Sequence, residues 1–297
     1  MGFFTNSQVT SIQIGSTVTY KNNTMFNAFH SCYGFNSPVT IPNGVTNIAN
    51  VFYDCWNFNQ PITIPNSVTN MFNAFHYCNN FNQPITIPNN VINLAGAFHS
   101  CTSFNQPITI PNGVTNTTNL FRSCIDFNQP IAIPDGVTNI VGMFYSCSWF
   151  DQPITIPNEV TNMAMAFQMC RRFNQPITIP NNVTSMYGAL EGCSNFNQPI
   201  TIGTGVTSLC EVFNSANNMT GNITILSPNV SNVKGMLRYK NNSKRINIIC
   251  PAGSTTNTKL KNTAAAYSVV NAAISWTTNN TNNCFYNTKY NIYVYWV

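Results

Sequence analysis

The chain has 297 residues, of which only 6% are charged, against roughly 25% in an average soluble domain. Hydrophobic residues make up an ordinary 43%, so the chain can bury a core, and no apolar stretch of about 18 residues predicts a membrane span. Asn and Thr replace the missing charges. Such a polar, uncharged composition is more typical of secreted, cell-surface or virion proteins than of cytosolic enzymes.

The first 27 residues precede the regular part of the chain. Residues 1–7 contain neither a basic nor an apolar region, so they predict no secretory signal, and release would need another route such as lysis. Val9, Ile12, Ile14 and Val18 are spaced like strand positions. Because the ends of a repeat stack expose its core, residues 1–27 are predicted to form an N-terminal cap with half a repeat.

Residues 28–250 repeat with a period of 23 residues. The consensus repeat is Phe-Asn-Gln-Pro-Ile-Thr-Ile-Pro-Asn-x-Val-Thr-Asn, followed by a variable stretch that usually holds one Phe and one Cys. A fixed period of this kind predicts a solenoid in which equivalent side chains lie above one another. The repeats begin at Phe35, Phe58, Phe81, Phe104, Phe127, Phe150, Phe173 and Phe196, with a degenerate ninth at Met219.

Each repeat contains one predicted strand. Ile62-Thr63-Ile64 alternates apolar and polar residues, and Pro61 and Pro65 limit the strand at both ends. Val68, Phe75 and Cys78 are predicted to face inward from the return arm. One repeat cannot bury its own apolar side, but stacked repeats can, with their strands in a parallel sheet at a spacing of about 4.8 Å.

The chain has 11 Cys, and eight of them recur once per repeat from Cys32 to Cys193. This spacing predicts a buried column of reduced thiols. Disulfides between neighbouring repeats are geometrically conceivable, but pairwise links would make the repeats unequal. A zinc site needs clustered ligands such as Cys-x-x-Cys, which do not occur. The state of Cys210, Cys250 and Cys284, outside the column, is left open.

The repeat resembles the BspA-like, treponemal-type leucine-rich repeat. The likeness rests on the pattern Ile-x-Ile-Pro-x-x-Val-Thr-x-Ile-x-x-x-Phe-x-x-Cys, which residues 41–55 match, and it covers about residues 16–250. The Phe-Asn-Gln-Pro element departs from the usual opening and is similar to that of a related bacterial surface-protein repeat. The resemblance implies a leucine-rich-repeat-type solenoid with a short-strand parallel sheet. It also implies a role in adhesion or surface binding, by analogy alone.

Residues 251–297 are predicted to close the stack. Ile246-Asn247-Ile248 repeats the strand once more, and Ala264–Ile274 has the composition of a helix. Phe285–Val297 is rich in Tyr and predicts a strand or hairpin. The segment is therefore expected to be a C-terminal cap, or alternatively a docking segment for a partner protein or a second copy.

Two surfaces are candidates for binding. The solvent-facing strand position is nearly always Thr, which suits hydrogen-bonded ladders or a regular ligand such as a polysaccharide. The residues that flank each Cys vary and are rich in the types that dominate recognition surfaces. Neutral drift is the alternative explanation for them. The candidate binding residues are Tyr53, Trp56, His76, Tyr77, His99, Arg122, Tyr145, Trp149, Arg171 and Arg172.

Charge is concentrated near the C-terminus. No acid follows Glu211, whereas several Lys and Arg do. A basic end attracts acidic proteins or anionic glycans, although it is also typical of a solvated cap. Nucleic acid is not favoured, because no aromatic-interleaved basic motif occurs. The candidate docking residues are Arg238, Lys240, Lys244 and Arg245.

The sequence predicts no enzyme and no cofactor. All seven acids lie on the repeats, and no pair of them has a distinctive environment. His76 and His99 should lie on adjacent repeats and could bind a metal weakly, but a stable site needs a third ligand, so no metal site is predicted. No phosphate-binding Gly loop and no exposed Cys–His pair is expected.

The favoured function is non-enzymatic recognition of a glycan or protein receptor at a virion or cell surface, for example in a phage fibre or decoration protein. The alternative is a structural scaffold in which the solenoid is a rigid spacer. A homo-oligomer or a virion protein partner is compatible with either function, membrane insertion is not expected, and a cytoplasmic location is the alternative to the surface.

Overall fold

The computed structural model describes residues 21–239, 245–262, 277–279, 284–287 and 292–296. Contacts divide the chain into two compact units, Met1–Gln152 and Pro153–Val297. The division falls within the predicted repeat region, and both units are built from the same repeat. The boundaries proposed at residues 27 and 250 stay predictions, and the N-terminal strand positions lie outside the described residues.

In the first unit, hydrogen bonds join consecutive repeats along the arm that follows each Val-Thr-Asn turn. Asn50 N–H donates to Phe72 O of the next repeat at 2.9 Å, whereas Val51 N–H donates to Ile48 O of its own turn at 3.1 Å. Successive amides therefore alternate between the next repeat and their own turn. Parallel bridges also connect the asparagines that close successive turns, Asn47, Asn70, Asn93 and Asn116.

This alternation places two residues of the arm in the left-handed region. In one repeat these are Asn50, with φ 54°, and Asp54, with φ 65°. Asn, Asp and Gly tolerate such angles better than other residues do. Gly96 takes the first of these positions in a later repeat, at φ 62°. A Cβ there would meet Asn73 Oδ1, so a side chain at Gly96 requires that amide to move.

The prediction of one strand in every repeat is wrong for the first unit and for residues 154–156 at the start of the second. The described Ile-Thr-Ile segments of these repeats keep the alternating burial of a strand but are not paired as one. The proline that follows the segment in the next repeat gives the physical reason, because it has no N–H to donate back to this one. In the second unit, Leu226 N–H donates to Ile202 O at 2.9 Å, and Pro65 and its equivalents hold the same repeat position without an N–H to donate.

The second unit contains a seven-stranded sheet with the order β1-β2-β3-β4-β7-β6-β5. Strands β1 (Ile177–Ile179), β2 (Ile200–Ile202), β3 (Ile223–Ile225) and β4 (Ile246–Cys250) are parallel. Thr178, Thr201 and Thr224 pair in register, as the repeat period predicts. Here the predicted parallel sheet is present.

The C-terminal segment continues this sheet. Helix α1 (Thr255–Asn262) follows β4, and it begins before the stretch 264–274 that composition favours, which lies outside the described residues. Strand β7 (Ile292–Trp296) pairs in parallel with β4 and antiparallel with β6 (Cys284–Asn287), and β6 pairs with β5 (Thr277–Asn279). The predicted strand or hairpin near the C-terminus is therefore confirmed, while capping stays a prediction.

Stacked Phe and Cys side chains form the core of the first unit. The Phe rings that open successive repeats lie 5.9–6.1 Å apart from Phe35 to Phe150. The Cys from Cys32 to Cys147 are fully buried and form no disulfide, as predicted. Each thiol also has a hydrogen-bonding role: Cys78 Sγ donates to Phe52 O of the preceding repeat at 3.1 Å.

Candidate binding surface

The arm between each Phe and the next repeat positions the candidate binding residues. Phe52, Cys55 and Phe58 point into the core, so the residues between them point outward. The residue after each arm Phe forms what we call the inner column, and the residue after each Cys forms the outer column. The inner column of the first unit comprises His30, Tyr53, His76, His99, Arg122 and Tyr145.

Neighbouring side chains of the inner column pack against one another from repeat to repeat, face to face or, for Tyr53 and His76, edge to face. The ring centroids of His30 and Tyr53 are 4.7 Å apart, and those of Tyr53 and His76 are 4.6 Å apart. His76 and His99 are separated by 4.0 Å. The prediction that these two histidines lie on adjacent repeats is confirmed. Further along, the Arg122 guanidinium lies 3.9 Å from the ring centroid of Tyr145, a cation–π contact.

Both histidines are held in the neutral form. Burial, followed by the charges of His99 and Arg122, lowers the pKa of His76 to about 3. Burial and Arg122 lower the pKa of His99 to about 4. Neither ring nitrogen of His76 has a protein hydrogen-bond partner, although the residue is only 8% exposed. The His76 imidazole is thus buried without the protein hydrogen bonds that buried polar groups usually make.

The geometry does not favour a metal at this pair. The two rings stack with an interplanar angle of 22°, so their lone pairs lie in nearly parallel planes and do not converge on one point. Arg122 adds a positive charge beside them. Across the described part of the chain, no group of three or more His, Cys, Asp or Glu is arranged to hold a metal ion.

The outer column contributes an aromatic residue that the sequence argument missed. Tyr33 occupies the same repeat position as Trp56, and their ring centroids are 4.7 Å apart at 52°. Both are exposed, at 40% and 47%. Trp56 Nε1 donates a hydrogen bond to Asp54 Oδ1, which fixes the indole ring. Comparing the residue after Cys32 with the residue after Cys55 could have found Tyr33.

The remaining aromatic candidates lie at the edges of these columns. Tyr77 is exposed and stacks on His76, with ring centroids 4.6 Å apart. Trp149 is 45% exposed, and its amide is tied to Ile125 O of the preceding repeat. We call the side chains Tyr33, Tyr53, Trp56, Tyr77, Tyr145 and Trp149 the aromatic strip.

The candidate arginines of the second unit have different surroundings. Arg171 and Arg172 are exposed. Arg238 forms an ion pair with Glu211 at 3.0 Å. Arg245 lies 3.8 Å from the ring centroid of Tyr293 and donates to Tyr295 Oη at 2.6 Å, so contacts within the chain hold this docking candidate. Lys240 and Lys244 lie outside the described residues.

One pair of acids does have a distinctive environment, contrary to the sequence argument. Glu191 accepts hydrogen bonds from Gln168 Nε2 and, at 2.8 Å, from Asn214 Nδ2. Burial and the nearby Glu211 carboxylate raise the pKa of Glu191. The signal was missed because Glu191 and Glu211 come together only when repeats stack. Both oxygens of Glu191 are used inside this network, so the geometry supports packing.

The Thr-bearing face of the first unit forms a shallow groove of about 340 Å³ between neighbouring Ile-Thr-Ile segments. Its lining includes Thr86, Thr109, Pro107 and Pro130. The side chains are small and change little from repeat to repeat, with Ala132 replacing Thr in one of them. This face therefore offers a regular surface but little means of selecting a partner.

Leucine-rich-repeat-type stacking defines the structural class of this protein, and comparisons with known proteins agree. The chain belongs to the family described as "Mycoplasma protein of unknown function, DUF285", which matches residues 2–86, 46–155 and 134–204. It is similar to the solved structure of a leucine-rich cell surface protein from Faecalibacterium prausnitzii A2-165. The identity is 24% and the TM-score 0.50, over 82% of this chain and 73% of that one.

A leucine-rich repeat protein from Bacteroides ovatus ATCC 8483 is also similar, at 16% identity and a TM-score of 0.44, over 83% of this chain and 88% of that one. No curated protein matches. Among the described residues, no helix is both long and apolar enough to cross a membrane. At 24% identity, the likeness to the Faecalibacterium structure concerns the fold of the repeats alone.

Proposed function

We propose that this protein is a non-enzymatic recognition module of a cell or virion surface, and that the aromatic strip of its first unit binds the partner. One observation carries the proposal: Trp56, Tyr77 and Trp149 are 47%, 41% and 45% exposed on arms that backbone hydrogen bonds join to neighbouring repeats of the first unit. Large aromatic rings held rigidly at a surface lose little entropy on binding. The Faecalibacterium protein, described as a cell surface protein, supports the surface location.

The competing proposal is a rigid spacer in a surface structure or virion. The continuous Phe rows and the uniform Thr face support it, because neither requires a partner. A spacer needs stacking but no exposed rings. The two proposals therefore differ in what removal of the aromatic strip does to binding.

The experiment compares wild-type protein with the triple variant W56A/Y77A/W149A for attachment to cells and extracellular matrix. Tyr187, which is 45% exposed in the second unit, provides the matched control Y187A. Binding that is saturable for wild type and Y187A but reduced roughly tenfold or more in the triple variant supports recognition by the strip. Binding that is unchanged in a folded triple variant, or absent in wild type, contradicts it and favours the spacer.

A further inference from the structure

Charge is nearly absent from the part of the chain that carries Tyr33, Trp56 and Tyr77. Asp54 is the only charged residue between Lys21 and Arg122. Electrostatic attraction therefore contributes little here, in contrast to surfaces that select anionic or cationic partners by complementary potential. A partner that matches this surface is itself uncharged and is held by ring contacts and neutral hydrogen bonds.

The Tyr33 and Trp56 rings provide the apolar contact. The two ring planes are inclined to each other by 52°, so the rings form an angled apolar surface. The face of an aromatic ring is electron-rich and attracts C–H groups, which one side of a pyranose ring presents. The hydrogen bond from Trp56 Nε1 to Asp54 and the bond from Asn57 N–H to Tyr33 O, at 3.2 Å, hold the platform in place.

Hydrogen-bonding groups border the same platform. Among the described contacts, Asp54 Oδ2 accepts no hydrogen bond, and Asp54 is partly exposed. Asn57 and Asn80 are exposed on consecutive repeats, and Asn80 Nδ2 donates to Asn57 Oδ1 at 3.3 Å. A carboxylate oxygen accepts from hydroxyls, while an amide can both donate and accept. A sugar carries both kinds of partner around its ring, whereas a hydrophobic protein anchor would leave these polar groups unpaired.

From this juxtaposition we infer that the ligand of the aromatic strip is a neutral carbohydrate, bound on the Tyr33–Trp56 platform with Asp54, Asn57 and Asn80 as hydrogen-bonding partners. The inference rests on the proposed function and names the partner's chemical class. Asp54 acts in two ways: it positions the indole through one oxygen and leaves the other oxygen for a hydroxyl group. Repeat stacking extends the surface along an oligosaccharide through Asn79 and Thr102, which occupy the next two positions of the outer column.

The test uses immobilised polysaccharides: a neutral β-glucan, a neutral mannan, a neutral galactan and acidic polygalacturonate. Wild-type protein is expected to bind at least one neutral polymer. Y33A and W56A should each weaken that binding roughly tenfold or more, and Y187A should leave it unchanged. Because the ligand is uncharged, raising the salt to about 1 M should change the affinity less than about twofold. D54N should bind more tightly than D54A, since the amide oxygen can still accept from the indole.

Three results overturn the inference. They are binding of polygalacturonate alone, binding of no polymer, and neutral-polymer binding that survives both Y33A and W56A in folded protein. If attachment to cells depends on Trp56 but persists after all surface glycans are removed, the proposed function stands and the ligand is not a carbohydrate. Sedimentation velocity tests a further alternative. Self-association of the wild type that W56A abolishes would show that the platform binds a second copy, and would contradict the inference.

Discussion

The Cys55 thiol donates a hydrogen bond to the carbonyl oxygen of Phe29, 2.9 Å away in the preceding repeat. The same bond recurs from Cys101 to Phe75 at 3.0 Å and from Cys193 to Phe167 at 3.0 Å. The column of cysteines therefore links each repeat to the one before it. Volume alone does not explain why Cys occupies this position, because Ala or Val would also fill an apolar site.

We expect C101A to lower the free energy of unfolding by about 1–3 kcal/mol. The substitution removes both a fully buried sulfur atom and the donor to Phe75 O. Urea unfolding followed by circular dichroism measures the change. C210A is the control, because Cys210 lies outside the column and is partly exposed, and its effect should stay within about 0.5 kcal/mol. Equal effects of the two substitutions would argue against the thiol link.

The rate of thiol alkylation should distinguish the cysteines of the buried column from the partly exposed Cys210. Burial raises the pKa of Cys78, Cys101 and Cys124, and it shields them from reagent. Cys210 is partly exposed, although its pKa is also raised. Iodoacetamide labelling of native protein near pH 8, mapped by mass spectrometry, should therefore modify Cys210 well before the column. Rapid labelling of Cys101 in folded protein would show that the column opens.

Replacing His76 with Phe should stabilise the protein by about 1–3 kcal/mol at neutral pH. Both imidazole nitrogens are buried without a protein partner, and a phenyl ring of similar shape removes that cost while keeping the stack. Thermal and urea unfolding of H76F measure the gain, with H30F as the control, because the half-buried His30 has a hydrogen bond between its Nδ1 and Ser31 Oγ and should not be stabilised by its loss. Destabilisation by H76F would mean that the nitrogens are satisfied in solution.

Acid should destabilise the wild type more than the double variant H76F/H99F. The pKa of His76 is lowered from 6.5 to about 3 and that of His99 to about 4. Below about pH 6.5, the unfolded chain therefore binds protons at these histidines that the folded chain does not bind. Their contribution to stability is complete above about pH 6.5 and is lost as the pH falls toward 4 and then 3. Unfolding free energies between pH 7.5 and pH 4 should therefore fall less steeply for H76F/H99F than for wild type. Identical slopes would contradict the shifts.

The parts of the fold that depend on strict periodicity could be predicted from the sequence. Phe35 and Phe58 stack because equivalent positions recur every 23 residues, and the adjacency of His76 and His99 follows from the same count. Strand pairing could not be predicted in this way. Ile85-Thr86-Ile87 and Ile177-Thr178-Ile179 have the same pattern, but only the second is paired, because pairing depends on backbone donors in the neighbouring repeat.

The candidate site was predictable only in part, for a similar reason. Trp56 and Tyr77 stand out as large exposed rings in variable positions, but Tyr33 was missed because the first repeat is degenerate at its start. Arg245 was assigned to docking on charge alone. Its contact with Tyr293 joins residues far apart in sequence, and no local pattern reports such a contact.

The distance between the backbones of neighbouring repeats differs at two equivalent glycines, so one glycine can serve as the control for substitution of the other. Gly136 and Gly205 occupy the same place in their repeats, just before Val137 and Val206. A Cβ on Gly205 would overlap the Asn181 carbonyl oxygen, whereas a Cβ on Gly136 would lie an ordinary 3.7 Å from the Asn112 oxygen. The repeats are thus packed more tightly where the strands pair.

G205A should therefore destabilise the protein by about 1–3 kcal/mol, because the backbone must shift and weaken the pairing of β1 with β2. G136A should be neutral or stabilising by up to about 1 kcal/mol, since alanine restricts the unfolded chain without a clash. Urea unfolding gives both values, and amide exchange of Thr201 should accelerate in G205A alone. Equal stability of the two variants would mean that the second unit accommodates a side chain and that strand pairing does not require the close approach.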